Sequence, residues 1–270
     1  MSNTSLSWLA FTLYAVLSFL FWRAQREEQA EHHYQGLLGW AVGVPLALHG
    51  WLLYETLFIW GALNLGLVYA LSLILWLTVL VYWVGRFWYP LASLQTLVLP
   101  LAAVGVVLPN LFPEAHILSQ PASALFDTHV LMAMLAYSLF TIAALHAALM
   151  AFVEKRLHHA RLPAVLRSLP PLLTMETLLF RVIAGGFVLL TITLLSGLIF
   201  SEQIFGHPWQ FNHKTLFGVI SWLVFGLLLW GHYARGWRGI TAIRWTLGGF
   251  GLLVLSYLGT RFVLEVFLHR

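Results

Sequence analysis

The sequence predicts an all-α, polytopic membrane protein with eight transmembrane helices and with both termini on the outer side of the membrane. Two observations carry this prediction. Of the 270 residues, 60% are hydrophobic and only 9% are charged, and a water-soluble domain of this length could not bury so much apolar surface. The apolar residues also fall in runs of about 20, the length that a helix needs to cross a bilayer. Residues 1–270 are therefore expected to form one integral membrane domain.

Eight apolar runs follow one another along the chain. The first, SLSWLAFTLYAVLSFLFW, lacks a small-residue cleavage site, so we expect a retained helix and not a signal peptide. Pro170 and Pro171 precede the sixth run, where Thr174 is expected to cap a helix whose first turn includes Glu176. The predicted spans are 5–22, 36–54, 67–84, 91–108, 128–152, 178–200, 214–233 and 244–264.

The basic residues predict the orientation of the helices, because short loops rich in lysine and arginine stay in the cytoplasm. Every second connector is basic, and the connectors between them contain no lysine or arginine. This alternation predicts cytoplasmic basic connectors and outer termini. The basic side carries Arg23, Arg26, Arg86, Lys155, Arg156, Arg161, Arg167, Arg181, Arg235, Arg238 and Arg244, and the opposite side carries Lys214, Arg261 and Arg270.

The twelve histidines are the candidate ligands, since the chain has no cysteine. The predicted topology places His49, His129, His207 and His213 near the outer side, and His146 and His232 towards the cytoplasmic side. His129 and His146 are roughly 25 Å apart along a helix, too far to share one ligand. Neutral imidazoles on facing helices are a common way to hold haem.

A surrounding wall of apolar side chains suits the haem macrocycle, and Lys214 would meet its propionates at the water boundary. The alternative reading is that each histidine is a hydrogen-bonded packing residue. In that reading HPWQFNHK is only a polar helix start, which Asn212 caps.

The carboxylates argue against a divalent-metal transporter, which usually needs an acidic group deep in the membrane. Those on the outer side fall in predicted loops or at helix ends: Glu55, Glu114, Asp127, Glu202 and Glu265. No nucleophile–base pair or hydrolytic constellation is present, so we expect no enzyme activity. Two other hypotheses stay open, a divalent-metal transporter or its accessory, and a membrane regulator whose basic connector 153–174 docks a cytoplasmic protein.

Several motifs resemble the haem-handling membrane proteins of cytochrome c assembly, the CcsA/CcmC-like superfamily. They cover roughly residues 125–260. The helix start HVLMAMLAYS resembles the family helix whose histidine is an axial haem ligand, here His129. The remaining motifs are Glu176, Phe180-Arg181, Gly186-Phe187, Leu190-Thr191, Ser196-Gly197 and GWRG at 236–239.

The chain departs from the family where haem is presented to an acceptor. Only Trp209 remains of the tryptophan-rich outer loop, and Trp230 and Leu268 stand where the family has further histidines. The pattern is similar to the smaller HemX-type branch, which lacks the tryptophan-rich signature. This implies a bacterial inner-membrane protein that binds haem b for handling, delivery or sensing.

The resemblance places His129 as an axial haem-iron ligand. His213, in the first turn of the seventh helix, is the predicted second axial ligand in place of the missing last-helix histidine, and His49 is the alternative partner of His129. Trp209 and Lys214 would also contact haem. Further candidates are His146, His232 and His269. The expected partners are haem, membrane lipid and a cytochrome-assembly or haem-biosynthesis protein, and no nucleic acid.

Overall fold

The computed structural model describes residues 3–26, 32–59, 62–63, 66–89, 94–113, 124–158, 171–202 and 212–259. Within these ranges the protein is helical apart from short turns and from β1 and β2, two antiparallel strands of two residues each between α3 and α4. The last helix continues as a single π-helical turn, Leu255–Gly259. The elements are α1 (Asn3–Arg26), α2 (His32–Ala41), α3 (Gly43–Leu57), β1 (Phe58–Ile59), β2 (Ala62–Leu63), α4 (Leu67–Gly85), α5 (Gln95–Leu111), α6 (Ala124–His158), α7 (Leu172–Ile199), α8 (His213–Arg235) and α9 (Gly239–Val254).

The helices fall where the apolar runs predict them, which confirms an all-α, multi-pass membrane protein. Among the described residues, seven helical segments are long and apolar enough to span a bilayer, and α5, with 17 residues, is apolar but shorter. The second span is built from α2 and α3, which meet at Val42. The break follows from Pro45, which has no N–H to continue the hydrogen-bond ladder back to Ala41.

The starts of the last and the sixth spans differ most from the predicted bounds. The last span begins at Gly239, not at 244, because a carboxylate from α7 satisfies the N–H of Gly239. The sixth span begins at Leu172 with Pro171 in the capping position, so Thr174 is not its cap. The N–H of Thr174 instead donates to the carbonyl of Pro171.

The helices pack around two main apolar clusters. One is formed by α6, α7, α8 and α9 with part of α4, and Phe140 stacks on Phe225 at its centre, with ring centroids 3.9 Å apart. The other is formed chiefly by α1 to α5 and contains Tyr14 and Leu99. Because α4 and α6 contribute to both or border both, they join the two halves of the bundle.

Large apolar side chains also remain on the outer helix surfaces. On α7 they form a stripe at helical spacing, which consists of Val188, Ile192, Leu195 and Ile199. Such a stripe would be costly in water and is the normal lipid-facing surface of a spanning helix.

The start of α6, the end of α7, the start of α8 and the π-helical turn lie at one end of the bundle. One hydrogen bond joins α6 to α7, and another joins the turn to α8. The two pairs are linked because the Tyr137 ring of α6 meets the Tyr257 ring of the turn, with centroids 6.2 Å apart. We call it the His129 end. Which side of the membrane it faces stays a prediction from the basic residues.

Candidate functional site

His129 lies near the start of α6 and is held by the end of α7. Its Nδ1 is 2.9 Å from the Ser196 hydroxyl, which is 67 residues away in the chain. The same hydroxyl donates its hydrogen to the backbone carbonyl of Thr193, one turn earlier in α7, at 3.0 Å. The imidazole is partly buried between these helices.

This pair of hydrogen bonds favours one tautomer of His129. A serine hydroxyl has one hydrogen, and a backbone carbonyl can only accept. When that hydrogen goes to the Thr193 carbonyl, Ser196 accepts from His129, so Nδ1 carries the imidazole proton and the lone pair is on Nε2. A metal-ligating histidine has the same arrangement, since its other nitrogen is commonly held by an outer hydrogen bond.

Gly197 gives the ring of His129 the space that this position requires. A Cβ at Gly197 would come within 3.3 Å of the His129 Cε1 atom, tighter than an ordinary contact. The Ser196-Gly197 pair therefore acts twice on one imidazole: Ser196 accepts its hydrogen bond, and Gly197 leaves space for its ring.

Lys214, in the first turn of α8, supplies a positive charge at the His129 end. Its ammonium lies over the Tyr257 ring, 5.2 Å from the centroid, and is close enough to His129 to interact with it electrostatically. The Lys214 carbonyl accepts a hydrogen bond from Ser256 at 2.7 Å, so the π-helical turn fixes the start of α8. Tyr137, from α6, donates to the carbonyl of Leu253 at 2.8 Å and fixes the end of α9.

His213 is the first residue of α8 and is exposed. Asn212 is the cap of this helix, as the sequence predicts, and its side-chain oxygen accepts from the Thr215 N–H at 3.0 Å. The cap places His213 at the same end of the bundle as His129, next to Lys214.

His49 is at a different position in the bundle. It is 1% exposed on α3, and its Nε2 is 3.0 Å from the Ser72 hydroxyl of α4. Its ring meets the edge of Tyr14 from α1, with centroids 6.0 Å apart. His49 and His129 thus have their polar contacts with different helices.

The two histidines predicted nearer the cytoplasmic side make structural contacts. His146 donates from Nε2 to the Met175 carbonyl at 2.8 Å and so joins α6 to α7. His232 donates from Nδ1 to the Trp237 carbonyl at 3.0 Å, and its ring stacks on Phe180 at 3.5 Å.

The motifs Glu176 and GWRG meet at this opposite end. Glu176, which is buried, accepts the Gly239 N–H at 3.1 Å, and its other oxygen is 3.5 Å from Arg238 Nε. Gly236 and Gly239 have φ angles of 68° and 53°, which glycine adopts without steric cost. These motifs build the tight connection between α8 and α9.

Other predicted site residues add no further donor cluster. Trp209 and His269 lie outside the described residues. Glu55, Asp127 and Glu202 are exposed at helix ends, as predicted. Among the residues that the structure describes, no group of three or more His, Asp or Glu side chains is placed to hold a metal ion.

Sequence reasoning marked His129 and the Ser196-Gly197 motif but did not connect them. It also did not single out Tyr137, Ser256 or Tyr257. The adjacent Ser196 and Gly197 in an apolar helix could have predicted this contact, since small and small polar residues are typical of close contacts between membrane helices.

Comparison with known proteins identifies the family of the chain. The family model described as "Cytochrome C assembly protein" matches residues 40–268. The "Inner membrane protein YpjD" of Escherichia coli (strain K12) is 31% identical over 173 residues, which are 64% of this chain and 65% of that protein. The "Cytochrome c biogenesis protein CcsA" of Prochlorococcus marinus (strain MIT 9515) is 35% identical over 89 residues, 33% of this chain and 28% of that protein. With most of its length covered by the family model, the chain belongs to the cytochrome c assembly protein family.

Proposed function

We propose that this protein binds haem at the His129 end and handles it for cytochrome c assembly in a bacterial inner membrane. The family and the names of the relatives support the biological setting. The observation that carries the proposal is the hydrogen bond between His129 Nδ1 and Ser196. It favours the neutral imidazole with its lone pair on Nε2, the form that ligates iron.

The donors at this end fit haem b. Bound haem would supply an iron ion whose axial positions take neutral imidazole nitrogens. His129 would provide one of these nitrogens from α6, while Ser196 holds the ring and Gly197 leaves it room. Lys214 would pair with a propionate carboxylate, because its ammonium lies at the same end as His129.

His213 is the better second axial ligand in this proposal. It starts α8 at the His129 end, and no part of the core must open for its exposed ring to move. His49 is 1% exposed, with Nε2 bonded to Ser72 and its ring packed against Tyr14. Its Nδ1 has no hydrogen-bond partner but is buried, so ligation by His49 would first require the surrounding helices to open.

The proposed topology keeps the His129 end outside and the basic connectors in the cytoplasm. The asymmetry of lysine and arginine supports it. The protein would then hold haem on the outer side and present or sense it there, with no covalent catalysis by its own side chains. Neither the relatives nor the described residues give an observation that favours the divalent-metal transporter.

Absorption spectroscopy of the purified protein tests the proposal. The wild type should take up haem and show a Soret band with sharp reduced α and β bands, the pattern of two nitrogen ligands. His129→Ala should lose or shift these bands. A folded His146→Ala variant should show the same bands as the wild type. A wild type that stays colourless with added haem would refute the proposed function.

A further inference from the structure

Two arginines meet one short aromatic segment at the end of the bundle opposite His129. The segment Phe87–Tyr89 directly follows α4. The Arg86 guanidinium carbon lies 5.6 Å from the centroid of the Phe87 ring. Arg181 reaches the same segment from α7, with its guanidinium carbon 5.7 Å from the centroid of the Tyr89 ring.

The two guanidinium groups have N–H donors in their planes that can bond to a ligand. A guanidinium that stacks on a ring uses its face, and its five N–H donors stay in the plane, where they match the oxygens of a phosphate. Arg86 makes one long hydrogen bond, 3.5 Å, to the Gly36 carbonyl. Over the described part of the chain, neither arginine pairs with a carboxylate: the ion pair there joins Arg238 to Glu176.

Exposed tryptophan side chains beside the two arginines indicate how deep this part of the protein lies in the membrane. Trp88 is 72% exposed and Trp40 is 61% exposed, and Trp40 contacts the Phe87 ring at a centroid distance of 5.1 Å. Exposed tryptophan rings beside arginine are typical of the headgroup region of a bilayer. The two arginines are therefore at the depth where lipid phosphates lie.

We propose that Arg86 and Arg181, with Trp40 and the segment Phe87–Tyr89, bind the headgroup of an anionic phospholipid. The phosphate would sit between the two guanidinium groups, and the exposed rings would contact the upper acyl chain and glycerol. Charge complementarity selects an anionic lipid over a zwitterionic one, whose choline would meet two unneutralised cations. This site is separate from the haem site and does not rest on it.

Arg181 is the residue to change first. It is exposed, and among the described residues its side chain contacts the Tyr89 ring, so its loss should not disturb the fold. Arg86 also packs against Gly39, where its guanidinium occupies the space that a side chain would need, so its replacement affects the α2–α4 contact as well. Arg235 is the matched control, because it stacks on Trp230 of its own helix at 4.7 Å and lies at the same basic end.

The test is native mass spectrometry of the full chain with short-chain phosphatidylglycerol or phosphatidylcholine, supported by thermal unfolding in each lipid. The wild type should prefer phosphatidylglycerol. Arg181→Gln should weaken phosphatidylglycerol binding about five-fold, the effect expected of one arginine at a lipid surface. Arg181→Lys, which keeps the charge, should weaken it less. Arg235→Gln should bind as the wild type does.

Three results would overturn the proposal. Unchanged phosphatidylglycerol binding by Arg181→Gln would show that this arginine does not hold the headgroup. An equal loss in Arg235→Gln would show only diffuse attraction to the basic end. If inorganic phosphate raised the unfolding temperature as much as phosphatidylglycerol does, the site would bind a soluble anion and not a lipid.

Discussion

Replacement of Ser196 by alanine should weaken haem binding about 10- to 100-fold, the range found when the outer partner of a metal-ligating histidine is removed. In the wild type, Ser196 accepts from His129 at 2.9 Å and donates to Thr193 at 3.0 Å. Alanine removes both bonds. Nδ1 then loses its acceptor, so the ring is free to turn and the tautomer with the lone pair on Nε2 is no longer favoured.

The effect on folding should be small in comparison. A partly buried neutral hydrogen bond contributes about 1 kcal/mol to stability. Ser138→Ala is the matched control, because the Ser138 hydroxyl makes the same kind of bond, to the Leu135 carbonyl three residues earlier at 2.8 Å, without touching a histidine. Both variants should unfold at a slightly lower temperature than the wild type. Only Ser196→Ala should lose haem affinity.

Titration of the purified proteins with haem, followed at the Soret band, measures these affinities. If Ser196→Ala binds as tightly as Ser138→Ala while His129→Ala loses haem, Ser196 does not control the ligand and the tautomer argument is wrong. If His129→Ala also binds normally, the haem site itself is elsewhere.

Three further changes test other contacts. Gly197→Ala should weaken haem binding several-fold in the same titration, because its Cβ would meet the ring of His129 at 3.3 Å; unchanged affinity would mean that the ring shifts freely. Lys214→Met should weaken binding of haem but not of haem dimethyl ester, and an equal loss for both would exclude a propionate contact. Glu176→Ala should lower the free energy of unfolding by about 2 kcal/mol, since it leaves the start of α9 unsatisfied. Glu154, which is partly exposed near the end of α6, is a control carboxylate, and Glu154→Ala should change stability little in the same denaturation experiment.

The helices were largely predictable because their signal is local. A run of apolar residues predicts a span without reference to the rest of the chain, and the predicted segment 67–84 differs by one residue from α4. Errors arose where a distant group decides the boundary. The start of α9 depends on Glu176, which is 63 residues away in the sequence.

The candidate site divides in the same way. The sequence identified His129, Lys214 and the cap at Asn212 from residue type and position. It did not reveal that His129 is bonded to Ser196, or that His49 is bonded to Ser72 on another pair of helices. Which side chains meet depends on how each helix is rotated about its own axis. The sequence of this chain gives little information about that rotation.

The physical reason is the solvent. In a water-soluble protein, the polar face of a helix shows which side is exposed, and the buried side follows from the pattern. Here lipid and protein core are both apolar, so the exposed stripe of α7 and its buried face have the same character. The sequence by itself determined that the chain spans a membrane, where its helices lie and which end is basic. Only the tertiary structure decided which helix faces meet, and therefore that the imidazole of His129 is bonded to Ser196.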